Sequence, residues 1–128
     1  MISKIYPVGE LKSYKYVIIF SLYNGKFLLS RHKVRTTWEN QGGHVEEGET
    51  PFKAAERELY EESGAVDYHM VPLCDYWAKT EDNEQGDNGM VFKAVIHELN
   101  SLPESEMAEV KAFDTLPENL KGVYSYGI

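Results

Sequence analysis

The longest apolar stretch is Tyr16 to Leu22, and it lies within Tyr14 to Leu22, YKYVIIFSL, rich in β-branched and aromatic side chains. Such residues pack well on a pleated surface, so this stretch predicts a central strand. Asn24-Gly25 follows, a pair suited to a two-residue hairpin turn, and Lys26 to Arg31 (KFLLSR) predicts the returning strand. The pattern then changes period. Phe52, Ala55 and Leu59 recur at helical spacing and predict a stripe facing a core. Thr50 precedes them as a cap, Pro51 suits the first helical position, and Gly64 suits a left-handed stop, so Thr50 to Ser63 predicts a helix. Beyond it, Val66 to Lys79 predicts one or two strands interrupted at Pro72. Thr80 to Gly89 predicts a polar loop, Met90 to Leu99 and Glu109 to Phe113 two strands, and Leu116 to Leu120 a single helical turn. Strands with one strong helix between them predict a mixed α/β sandwich.

The 128 residues predict one domain, 1–128, with one core, and no repeat or low-complexity segment divides them. No apolar run approaches the roughly 20 residues that cross a bilayer. The opening Met1-Ile2-Ser3-Lys4 lacks a signal peptide's apolar segment. A lone cysteine, Cys74, excludes an internal disulfide and reads as a buried free thiol. A cytoplasmic protein, monomer or homodimer, is the expectation. The net charge of -8 argues against a polynucleotide groove, because an acidic surface repels phosphate backbone. A small phosphorylated substrate stays compatible, since a metal can bridge carboxylates to phosphate oxygens.

Candidate chemistry lies in Gly43 to Ala65, GHVEEGETPFKAAERELYEESGA. Glu58, Glu61 and Glu62 stand at i, i+3 and i+4, so their carboxylates share a helix face. They crowd the C-terminal half, where the helix dipole disfavours anions. A divalent cation reverses both penalties, and magnesium takes oxygen ligands while leaving positions for water and phosphate. An acidic helix face alone reads as solvated surface. The context changes that reading: a double glycine precedes the helix, Glu49 lies just before its cap, and Arg57 adjoins the acids. Glycines admit close backbone approach, and arginine can grip a carboxylate with two prongs.

This segment resembles the Nudix box, whose pattern is Gly, five residues, Glu, seven residues, Arg-Glu, an aliphatic residue, any residue, Glu-Glu, any residue, Gly and an aliphatic residue. Gly43, Glu49, Arg57-Glu58, Leu59, Glu61-Glu62 and Gly64 fill the fixed positions, with Ala65 a small residue at the last. The resemblance implies an α/β/α sandwich with a mixed β-sheet and a loop-helix-loop metal site. It implies that Glu58, Glu61, Glu62 and the Gly42 carbonyl hold Mg2+ (or Mn2+), with Glu49 and Arg57 as braces. It also implies a further acid from a later loop. Glu104, Glu106 and Glu109 qualify, and Glu106 is favoured. The activity implied is hydrolysis of a phosphoanhydride bond in a small nucleotide, with no polymer and no membrane involved.

Trp38-Glu39-Asn40-Gln41-Gly42-Gly43 is similar to the Trp-Glu-x-Pro-Gly-Gly lead-in of the MutT-like branch, which acts on (d)NTPs or oxidised nucleotides such as 8-oxo-dGTP. Gln41 replaces the proline there, which predicts a looser turn and altered base recognition. Ala112 stands where a tryptophan is common. A short tail from Glu118 to Ile128, with Gly122 and Gly127, leaves room for an incomplete base pocket. Arg31, His32, Lys33 and Arg35 form a basic cluster that can meet polyphosphate or balance charge. Trp38 can stack on a base or pack in its loop. His44 reads as structural, because neutral imidazole is a poor magnesium ligand, and His32 carries no specific signal. Hydrolysis of ADP-ribose, dinucleoside polyphosphates or nucleotide sugars is an alternative, as is a nucleotide-binding module without turnover.

Overall fold

Asn24 and Gly25 both adopt positive φ, 53° and 74°, and pair Tyr23 with Lys26 across a tight hairpin. Turns of this hand match the twist of the flanking strands. They join β2 (Tyr16–Tyr23) to β3 (Lys26–His32), as the alternation predicts. In this computed structural model, residues 2–118 and 120–121 are described. The remaining elements are β1 (Ile2–Tyr6), β4 (Trp38–Glu39), β5 (Gln41–His44), α1 (Pro51–Ser63), β6 (Ala65–Thr80), β7 (Asn83–Leu99), β8 (Met107–Phe113) and β9 (Leu120–Lys121). The strands form a mixed sheet in the order β1-β6-β7-β2-β3-β4-β9. β5 also pairs with β2 and β8 with β3, and the β2–β7 and β4–β9 pairs are parallel.

The helix starts and stops where its signals predict. Thr50 Oγ1 accepts from the Lys53 amide at 3.2 Å, and Gly64 closes the last turn at φ 82° with its N–H on the Tyr60 carbonyl. Ala54, Ala55 and Leu59 of α1 are fully buried against Val17 and Ile19 of β2, Leu28 of β3 and Phe92, Ala94 and Ile96 of β7. Phe52 departs from expectation. It is 40% exposed at the rim of this core, its ring meeting Phe92 edge-on at 6.0 Å.

Four further expectations change. Pro72 does not split β6: a register shift between Pro72 and Cys74 absorbs the irregularity, and the strand runs on. Most of Thr80 to Gly89 is strand rather than loop. Only Glu81 and Asp82 turn, between paired Thr80 and Asn83. Its polar residues are held by ladder bonds, with the Trp77 indole donating to the Gln85 carbonyl at 3.1 Å. Leu120 and Lys121 form β9 beside β4 in place of the helical turn. Cys74 is half-buried rather than fully buried. Among the described residues α1 is the helix of the α/β sandwich, and no helix is long and apolar enough to cross a membrane. The tail features Gly122 and Gly127 lie outside the described residues.

Candidate metal and substrate site

The C-terminal half of α1 lies against β5, and the glycine pair explains how closely. A Cβ at Gly42 would collide with the Val17 carbonyl oxygen on β2, whereas one at Gly43 would lie 2.7 Å from the Glu58 carboxyl carbon. Each glycine therefore admits a different neighbour: sheet backbone on one side, a carboxylate on the other. The Gly42 N–H donates to Glu62 Oε1 at 2.9 Å. Glu62 is 5% exposed. Burial pushes its carboxyl up to about 8, against the pull of the Gly42 amide and with help from the Glu58, Glu106 and Glu39 charges. Burial also raises Glu58, opposed by the adjacent Arg57 and assisted by Glu61 and Glu106. Glu61 projects further out, with Arg57 Nη1 at 3.6 Å.

Arg57 is the hub that ties the loop after β5 to the helix. Its Nε and Nη2 grip Glu49 at 2.8 and 2.9 Å. Nη1 donates to Glu58 Oε1 at 2.6 Å, and Nη2 also donates to the His44 carbonyl at 3.1 Å. Glu49 further accepts from the Glu46 amide at 2.9 Å. Hydrogen bonds from Arg57, then from that amide, hold the Glu49 carboxyl down at about 2. Arg57 and Glu49 thus stand linked across the loop and the helix, and His44 contributes its backbone.

The loop before β8 brings a third acid toward this pair. Glu104 pairs with Lys33 at 2.7 Å and Glu109 with Arg31 at 3.3 Å. Glu106 instead lies 3.2 Å from His32 Nε2, and its charge is among those raising Glu58 and Glu62. No sequence pattern marks His32, yet it is buried and locked. The Val34 and Arg35 amides both donate to its Nδ1 at 3.1 Å, so the proton sits on Nε2 and points to Glu106.

Three of the basic residues are engaged by carboxylates. Lys33 holds Glu104 of the loop, Arg31 holds Glu109 of β8, and Arg35 grips Glu39 with two bonds at 2.9 and 2.8 Å. The Trp38 ring packs edge-on against Phe113 at 4.8 Å, with Arg31 above it at 5.9 Å. A cavity of about 570 Å³ opens beside Gly42 and Gly43, lined by Tyr16, Ile18, Arg35, Glu39, Asn40 and Asp87 among others. Arg35 lines it, whereas Arg31, Lys33 and Trp38 do not. Asn40 Nδ2 is buried with no partner among the described residues.

The donor set suits a hard divalent cation: carboxylate oxygens and a backbone carbonyl, with two of the carboxylates drawn out of water. In their present rotamers, however, no three acidic, histidine or cysteine side chains among the described residues converge closely enough to hold a metal. Glu62 is held by the Gly42 amide and Glu58 by Arg57. Glu61 and Glu106 are the long, solvent-reaching members, with side chains 46% and 73% exposed.

A model of the NUDIX domain matches residues 13–122. Nudix hydrolase 25 of Arabidopsis thaliana is 38% identical over 61 residues, which are 48% of this chain and 35% of that protein. The chain therefore spans about a third of the length of this curated relative. Among solved structures, a mutant form of the Bacillus subtilis pyrophosphohydrolase BsRppH superimposes with a TM-score of 0.79 at 28% identity, covering 91% of this chain and 74% of that one. A NUDIX-family hydrolase from Clostridium perfringens gives 0.69 at 20% identity, covering 87% and 90%. With the box residues gathered around the β5–α1 junction and the family model spanning most of the sequence, the chain belongs to the NUDIX domain family.

Proposed function

We propose that this chain hydrolyses a phosphoanhydride bond in a nucleoside diphosphate derivative, with Mg2+ or Mn2+ held by Glu58, Glu61, Glu62, the Gly42 carbonyl and Glu106. The observation that carries the reading is the pair of buried Glu62 and half-buried Glu58 under the glycine pair. Drawing two neighbouring carboxylates out of water is costly, and a cation that binds their ionised forms offsets the cost. When bound, the cation orients the phosphates, acidifies the attacking water and offsets charge on the leaving oxygen. One carboxylate of the Glu58, Glu61 and Glu62 set accepts the water's proton. Glu49 and Arg57 keep the loop and helix in register. Arg35, at the cavity wall, turns from Glu39 toward a phosphate. Lys33 acts on substrate through the loop before β8, which it holds at Glu104, and Arg31 and Trp38 act through β8, which they hold at Glu109 and Phe113.

The cavity beside Gly42 and Gly43 is large enough for a nucleoside. The finer proposal is a (d)NTP or oxidised dNTP such as 8-oxo-dGTP, on the similarity of Trp38 to Gly43 to the MutT-like lead-in. A free nucleotide fits a chain of net charge -8 better than a polynucleotide does. The test is a hydrolysis screen over nucleoside triphosphates, oxidised nucleotides, ADP-ribose, dinucleoside polyphosphates and nucleotide sugars, with Mg2+ and with chelator. Chelator-sensitive turnover of a nucleoside triphosphate is expected. Binding without turnover in every case would leave a nucleotide-sensing module instead.

A further inference from the structure

Gln41 replaces the proline expected before the glycine pair, and it does not loosen the segment. It is fully buried, and both ends of its amide are hydrogen-bonded. Ser21 Oγ donates to Gln41 Oε1 at 2.7 Å, while Gln41 Nε2 donates to the Leu28 carbonyl at 3.2 Å and to Ser30 Oγ at 3.0 Å. The Ser30 hydroxyl in turn donates to the Glu62 backbone carbonyl at 2.6 Å. Ser21 belongs to β2, Ser30 to β3, Gln41 to β5 and Glu62 to α1. One chain of hydrogen bonds therefore runs through the core from the sheet to the helix end that carries the buried acid. It is reinforced at the next residue, where the Gly42 amide holds the Glu62 side chain.

A proline fixes its own φ and has no side-chain donor. Gln41 instead reaches sideways and ties the glycine loop to the helix end across two strands. Buried networks of this kind rigidify when every member is satisfied. The residues holding first ligands are often as decisive for a metal as the ligands themselves. We propose that Gln41, acting through Ser30, is a positioning residue that fixes the Glu62 carboxylate and the Gly42 backbone for the divalent cation. This rests on the metal-dependent reading above.

The test uses the full chain and Mn2+ alone, its free concentration followed by electron paramagnetic resonance, together with melting temperatures and steady-state kinetics. Gln41→Leu keeps the buried volume and removes the amide. Ser30→Ala cuts the link to Glu62, and Ser30→Thr restores a hydroxyl. Ser21→Ala is the control, since it breaks a bond of the same network at the end away from Glu62. Gln41→Leu and Ser30→Ala are expected to weaken Mn2+ binding about tenfold or more, the range for lost supports of metal ligands. They should lower kcat more than they raise KM. Ser30→Thr should recover affinity, and Ser21→Ala should lose stability while keeping it. Parent-like Mn2+ affinity and kcat in Gln41→Leu and Ser30→Ala, with both less stable, would overturn the proposal and leave a packing role. So would a loss of affinity in Ser21→Ala equal to theirs. If Gln41→Leu does not fold, the single-oxygen deletion Ser30→Ala decides. A parent that binds no Mn2+ would instead sink the metal reading itself, which the variants cannot mimic.

Discussion

Glu61 differs from its two partners in what holds it. Glu62 is fixed by the Gly42 amide and Glu58 by Arg57, whereas among the described residues Glu61 has the looser contact with Arg57 at 3.6 Å. An exposed pair of that kind contributes little to stability, roughly 0 to 1 kcal/mol. Removing its charge also relieves an anion in the C-terminal half of the helix, where the dipole disfavours it. Glu61→Gln should therefore leave the apo melting temperature level or slightly higher. Turnover should fall by about a hundredfold or more, as when an acid-base group or a metal-activated water is disabled. The measurement is chelator-treated melting and Mg2+-dependent turnover on one sample. Near-normal turnover, or an inactive protein that melts well below the parent, would count against the role. At this scale the box residues are legible because their spacing is local: a helix period places Glu58, Glu61 and Glu62, and Arg57 needs only to reach back to Glu49. His32 and the Gln41 network are not legible. Their partners, Glu106 for one and Ser21 and Ser30 for the other, are brought close only by strand pairing that no short-range pattern encodes.

The β5–α1 unit works because both ends of the helix are pinned. Thr50 opens it, and Gly64 reverses the chain into β6 at φ 82°. A side chain at Gly64 would be strained twice, by that φ and by the Asn100 carbonyl oxygen 2.5 Å from its Cβ. Gly64→Ala should lower stability by more than about 1 kcal/mol, since alanine at positive φ costs more than its gain in unfolded-state entropy. Catalytic rate per folded molecule should also fall, because Gly64 closes the last turn of the helix, which carries Glu61 and Glu62. Denaturant unfolding with turnover normalised to the folded fraction checks both. An unchanged midpoint would mean that the helix end is not held as described. Strands and helix are readable where period and punctuation agree, as at Asn24-Gly25 and Thr50-Pro51. They mislead where polar residues sit in a strand, as from Asn83 to Gly89, because ladder bonds rather than side-chain alternation keep that segment extended. The short strands β4 and β5 carry no alternation at all. They exist because β2 and β3 offer edges for them.

At the scale of the whole molecule, two hydrogen-bonded clasps close the sheet at separate places. On one side the segment after β1 is tied down by Asp75 of β6, whose Oδ2 accepts from the Leu11 amide at 2.9 Å and from the Tyr14 hydroxyl at 2.6 Å. On the other, Glu49 fastens the loop after β5 to Arg57 of α1. The clasps respond to opposite ends of the pH range. Burial, then the Asp75 hydrogen bond and charge, push the Tyr14 phenol up from 10.0 to about 12. A raised folded-state value means the contribution is whole below the unfolded value of 10.0 and fades as pH climbs through about 12. The Glu49 carboxyl is depressed from 4.5 to about 2, so its contribution is whole above 4.5 and fades as pH falls toward 2. Tyr14→Phe should thus melt below the parent by a constant margin through neutral pH, with the margin closing between about pH 10 and 12. Glu49→Gln should show its full deficit above about pH 4.5, closing toward pH 2. Melting curves of the chelator-treated parent and both variants across that range test the pair. A margin that stays constant through its own window would show that the clasp in question does not couple to folding. Because the two windows do not overlap, either clasp can fail its test without disturbing the other.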